Sequence, residues 1–130
     1  MNQVLLSFLL IITIGAFLVV SADDDCCSFP LPAMGVATNV SARNFVCNEP
    51  IYIQCAVTAL NTKHRIGIAG FKDKADRRSY EIVAERDWVV SNILICNPAT
   101  ISWHLKGDVP EYQFFSCAYR DDTGSWKLVN

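Results

Sequence analysis

Six cysteines, at positions 26, 27, 47, 55, 96 and 117, constrain this chain of 130 residues more than any other feature. All of them follow an apolar leader. Val4 to Val20 is hydrophobic apart from Ser7, Thr13 and Gly15, and 16 of the first 22 residues are apolar. Val20-Ser21-Ala22 then offers the small-residue pattern that signal peptidase reads, and Asp23-Asp24-Asp25 opens a polar chain. Residues 1–22 therefore read as a cleaved signal peptide, although its n-region, Met1-Asn2-Gln3, carries no Lys or Arg. The run falls short of the roughly 20 residues that cross a bilayer. The last residues, Trp126-Lys127-Leu128-Val129-Asn130, carry no apolar signal for a lipid anchor. The expectation is a secreted chain with no membrane association after cleavage.

An even number of cysteines behind an export signal predicts three disulfides and no free thiol. Cys26 and Cys27 are adjacent, with Cα atoms about 3.8 Å apart where a bridge needs about 4.4 Å or more. They are expected to reach separate partners and to tie the N-terminal stretch to the body in two places. A zinc site fails on spacing: there is no Cys-x2-Cys pair, and His64 and His104 stand apart from the cysteines. No metal and no cofactor is expected. Asn39-Val40-Ser41 is the sole sequon, which makes Asn39 the expected glycosylation site.

The residues after the leader, 23–130, have room for one core and read as a single domain. With 11 basic and 13 acidic side chains, the net charge of −2 argues against nucleic acid or an anionic bilayer as partner. Residues 28–50 hold Pro30, Pro32, Gly35 and Pro50 and read as an extended lead-in. From Ile51 the apolar period is two. Ile51, Ile53, Cys55 and Val57 alternate with Tyr52, Gln54, Ala56 and Thr58, and Ile66 and Ile68 resume the pattern after a polar turn at 61–64. Tyr80, Ile82 and Ala84 alternate with Glu81 and Glu85. Trp88, Val90 and Ile93 to Cys96 form a longer run whose phase changes near Ser91-Asn92, where a bulge or bend is expected. Ile101, Trp103 and Leu105 share one face, and two further strands occupy 112–119 and 126–129.

This pattern predicts an all-β fold, a small disulfide-rich antiparallel β-sandwich over about residues 45–130. Its expected core is Ile53, Cys55, Ile68, Ile82, Ile95, Trp103, Phe115 and Cys117. Trp88, Trp103 and Trp126 have apolar parity and are expected inside. The architecture is immunoglobulin-like without the immunoglobulin hallmarks. The window for the core Trp holds Gly67 and Ile68, and Phe115 stands two residues before Cys117 in place of Tyr.

The order of motifs is more specific. It runs from the pair Cys26 and Cys27 to Cys47-Asn48-Glu49-Pro50-Ile51-Tyr52-Ile53-Gln54-Cys55 and Ile68-Ala69-Gly70-Phe71. Ile93-Leu94-Ile95-Cys96-Asn97, Ile101-Ser102-Trp103 and Phe115-Ser116-Cys117 complete it. This pattern resembles the secreted six-cysteine domain family of nematodes, across essentially the whole chain after the leader. Two features depart from that family: its first two cysteines are separated by two residues, and its middle loop is less charged. The resemblance implies an extracellular disulfide-stabilised module with no assigned catalytic activity.

Residues that carry chemistry are sparse. His64 and His104, with Lys63, Lys106, Glu81 or Glu85, supply the residue types of a two-histidine ribonuclease-like hydrolase, but no spacing requires that centre. There is no Gly-x-Ser-x-Gly elbow, no His-Glu-x-x-His and no phosphate-binding Gly loop. Lys72, Lys74, Arg77 and Arg78 interleave with Asp73 and Asp76 and form the candidate binding loop. The expected function is that of a monomeric, non-enzymatic extracellular module that binds a protein or a glycan. The alternatives are the two-histidine hydrolase and a purely structural spacer.

Overall fold

Alternation decides the first long strand. In the computed structural model, which describes residues 25–56 and 65–129, Ile51, Ile53 and Cys55 are buried while Tyr52 and Ala56 are exposed. Eight strands are present among the described residues: β1 (Ala37–Thr38), β2 (Ile51–Ala56), β3 (Arg65–Phe71), β4 (Glu81–Asp87), β5 (Val89–Asn97), β6 (Ser102–Leu105), β7 (Phe114–Arg120) and β8 (Trp126–Leu128). They pair antiparallel in two four-stranded sheets, ordered β1-β2-β5-β6 and β4-β3-β7-β8. The protein is thus a disulfide-rich all-β fold, as the period-two pattern requires. The expected signal peptide lies outside the described residues.

The main core sits between the sheets and joins Ile51, Ile53 and Leu94 of one to Ile66, Ile68 and Phe115 of the other, with Trp103 fully buried among them. The Cys55–Cys117 disulfide, from β2 to β7, crosses this core. Cys26–Cys47 and Cys27–Cys96 complete the set, so the adjacent pair does reach two partners, and no cysteine is free. Of the expected core, Ile53, Cys55, Ile68, Trp103, Phe115 and Cys117 are buried.

Six expectations need correction. Ile82 is only half-buried and packs on the outer face of the second sheet. A bulge is the reason: Ile68 pairs with Ala84 but Ala69 pairs with Ile82, so Val83 is the extra residue and the parity of β4 reverses there. Ile95 is half-buried on the outer face of the first sheet, opposite His104. No bulge occurs near Ser91-Asn92, because the β2–β5 register runs unbroken from Ile51↔Leu94 to Ala56↔Val89. The inward position there is taken by Asn92, whose Oδ1 accepts the Ile93 N–H at 2.7 Å. Trp88 is 62% exposed, at φ 68°, where the chain passes from β4 in one sheet to β5 in the other. Ile101 leaves the face of Trp103 and Leu105, being exposed at φ 52° in the turn before β6. The lead-in is also part of the body: it contributes β1, buries Cys27, Pro30 and Leu31, and accepts the Trp103 Nε1–H at Ser28 O (2.9 Å).

The second sheet is covered on both faces. Ala69, Phe71, Phe114 and Ala118 form a smaller outer cluster with Tyr80, Ile82, Trp126 and Leu128 packed on it. Gly67 makes room for that layer, since a Cβ there would come within 3.0 Å of the Trp126 ring and 3.1 Å of Ile82.

Candidate functional site

The segment between β3 and β4 is the most charged in the chain, and every residue from Lys72 to Ser79 is exposed. Its shape comes from its two aspartates. Asp73 Oδ1 accepts the Ala75 N–H at 2.8 Å, Asp73 O accepts the Asp76 N–H at 3.2 Å, and Asp76 Oδ1 accepts the Arg78 N–H at 3.0 Å. These are side-chain turns, in which a short acid satisfies backbone donors two residues on. The carboxylates are therefore turned toward the backbone. The ion pairs among the described residues join Arg65 to Glu85 and Asp87, and Lys127 to Asp121, so none engages Lys72, Lys74, Arg77 or Arg78.

Both ends of the loop are held. Phe71, before it, packs on Tyr80, after it, with ring centroids 5.6 Å apart, and the Tyr80 hydroxyl donates to Trp126 O at 3.1 Å. Lys74 Nζ lies 5.8 Å from the centroid of Phe114, within cation–π range. The loop is thus a fixed set of turns that presents four cations, anchored on the outer cluster of the second sheet. Its chemistry is attraction of anions by charges that no described ion pair neutralises.

The other candidate residues lie elsewhere. Asn39 follows β1 on an exposed bend, where its Oδ1 accepts the Tyr52 N–H at 2.9 Å. Its side-chain Nδ2 makes no hydrogen bond to a described residue, and Ser41 of the sequon is exposed as well. His104 is half-buried on β6, with its Nδ1 2.9 Å from Leu105 O. His64, its expected partner in a two-histidine centre, lies outside the described residues. No group of three or more His, Cys, Asp or Glu gathers to hold a metal among the described residues.

The sequence reading missed a polar brace near the same end of the sandwich. Glu111 accepts from Thr100 Oγ1 and from Asn97 Nδ2 (2.8 Å), which fixes the turn that carries Ile101. The Thr100 hydroxyl first, and then the Asn97 amide, hold the Glu111 carboxyl below its ordinary value. The reading also missed Ser116, which is buried on the outer face of β7 between Phe114 and Ala118. Phe114-Phe115-Ser116-Cys117-Ala118 is apolar on both parities, and that run is the signal of a strand covered on two faces. No protein-family model, curated protein or solved structure matches this chain.

Proposed function

We propose that the protein is an extracellular, disulfide-stabilised, non-enzymatic binding module whose contact surface is the loop of Lys72, Lys74, Arg77 and Arg78. The observation that carries this reading is the loop's construction. Its aspartates act as turn acceptors while its four cations stand exposed on a rigid support. An anionic partner, protein or glycan, benefits from charges held in place by such turns. Three disulfides are typical of chains that mature in an oxidising compartment, which supports secretion and, on the exposed bend at Asn39, glycosylation. The six-cysteine spacing that resembles the nematode domains supports the same reading.

The test uses the secreted full chain passed over immobilised heparin, a dense polyanion, at increasing salt. Retention should be saturable and fall steeply with salt, and Lys72→Ala, Lys74→Ala and Arg77→Ala together should release the protein at markedly lower salt. Incubation with single-stranded RNA runs in parallel. RNA cleavage that disappears in His64→Ala or His104→Ala would replace this reading with the hydrolase.

A further inference from the structure

Beside the loop lies a groove of about 200 Å³ on the outer face of the second sheet. Phe71, Phe114 and Leu128 supply its apolar wall, Met34 of the lead-in stands opposite, and Arg77 of the basic loop lines it as well. Ser116 lines the same groove and is 8% exposed, yet its hydroxyl has no hydrogen bond to any described residue. Buried hydroxyls are nearly always satisfied, and one that is not costs free energy that a ligand can return. Met34, in contrast, is 76% exposed, an unbranched side chain able to close over whatever enters.

These four properties define one kind of occupant. The groove is smaller than the roughly 300–1,000 Å³ of drug-sized ligand sites, and suits a single large side chain. The wall calls for an aromatic ring, the hydroxyl with no described partner for a hydrogen-bonding tip, and Arg77 in the lining, with Lys74 near the Phe114 ring, for negative charge beside it. We infer that the partner is a protein that docks through an acidic segment carrying a tyrosine: the ring fills the groove, the phenol bonds to Ser116, and flanking carboxylates meet Arg77 and Lys74. This inference rests on the reading of the loop as a contact surface and adds to it a class of partner. A sulfated glycan satisfies the cations and has hydroxyls for Ser116, but it brings no aromatic ring to fill the groove between Phe71, Phe114 and Leu128.

The probes are three capped pentapeptides with two glutamates on each side of a central Tyr, Phe or Ala, titrated into the secreted full chain, with heparin as a fourth. The phenylalanine peptide should bind more tightly than the alanine peptide by about tenfold or more, from burial of the ring. The tyrosine peptide should exceed the phenylalanine peptide by a further factor of about five, the worth of one neutral hydrogen bond. Ser116→Ala should abolish the second difference and keep the first, and should leave the free protein as stable as before or more so. Met34→Glu, at an exposed position where folding is not at stake, should weaken all three peptides through like charge and reduce the advantage of the aromatic ones. Equal affinities for the three peptides, with heparin retained, would overturn the groove while leaving the loop reading intact. Failure to bind peptides and heparin alike would sink both.

Discussion

Asp121 and Tyr112 illustrate how single residues set the pH range over which this fold holds. Asp121 closes the β7–β8 hairpin: its Oδ1 accepts the Thr123 Oγ1–H (2.6 Å), the Ser125 N–H (2.9 Å) and the Thr123 N–H (3.0 Å), while Lys127 Nζ sits 3.3 Å from Oδ2. The Thr123 hydroxyl first, then the Ser125 amide, hold its carboxyl down at about 2. Folding thus favours the charged form. The contribution is complete above the ordinary Asp value of about 4 and is lost as the pH falls from there through about 2. Tyr112 does the reverse at the alkaline end. Burial first, and then its hydrogen bond to Glu81 (2.6 Å), push its phenol up to about 12. Folding favours the neutral phenol, so its contribution is complete below about pH 10 and is lost as the pH rises through about 12. Urea titrations from pH 2 to 12 should show both limbs. Asp121→Asn should flatten the acid one and Tyr112→Phe the alkaline one; a variant that keeps the wild-type slope on its limb contradicts the assignment.

At the scale of the strand, alternation was legible and its interruptions were not. The faces of β2 and the shared face of Trp103 and Leu105 follow from period two, with Gln54 and His104 on the opposite parities. Ile82 was misplaced because Glu81-Ile82-Val83-Ala84 alternates equally well with or without an extra residue. The bulge at Val83 is set by tertiary pairing to β3. Asn92 concealed the true phase of β5 by placing a polar residue inward, where it satisfies its own neighbour's N–H. The candidate loop was legible as charge, but the orientation of its acids and the groove with Ser116 depend on which face of β7 is covered. Trp88 is the clearest failure of hydrophobicity as a guide, for its position is imposed by the crossing between sheets. A bulky residue at φ 68° is strained, by roughly 1–2 kcal/mol. Comparing Trp88→Gly with Trp88→Ala isolates that backbone contribution, since both delete the same side chain. The glycine variant should be the more stable by about 1 kcal/mol in chemical denaturation, the opposite of the order at an ordinary strand position. An alanine variant equal to or better than glycine would show that the left-handed conformation is not kept in solution.

The molecule as a whole is held by cross-links of unequal reach. Cys27–Cys96 and Cys55–Cys117 span 69 and 62 residues, while Cys26–Cys47 spans 21. Restriction of the unfolded chain grows only slowly with loop length, so each longer bridge contributes about 4 kcal/mol and the shorter about 3 kcal/mol. Location separates them further. Cys55 and Cys117 are buried in the main core, as are Cys27 and Cys96, and replacing either pair with alanine adds a void there. Those two variants should be the least stable of the three, each losing close to the whole stability of about 5–15 kcal/mol expected for a domain. Cys26 and Cys47 sit nearer solvent, and the lead-in keeps further ties without them: Cys27–Cys96, the bond from Trp103 to Ser28 O, and the Phe115 N–H donated to Pro30 O at 2.8 Å. Pro32, Ala33 and Met34, which line the groove, follow directly from this stretch. Cys26→Ala with Cys47→Ala should therefore lower the unfolding midpoint yet leave tyrosine-peptide binding within about twofold, a free-energy change of only about 0.4 kcal/mol. Cys27→Ala with Cys96→Ala should weaken both, because it frees the segment that carries that wall. Denaturation and titration of the same two variants give the answer, and equal loss of peptide binding in both would mean that the lead-in does not position the groove.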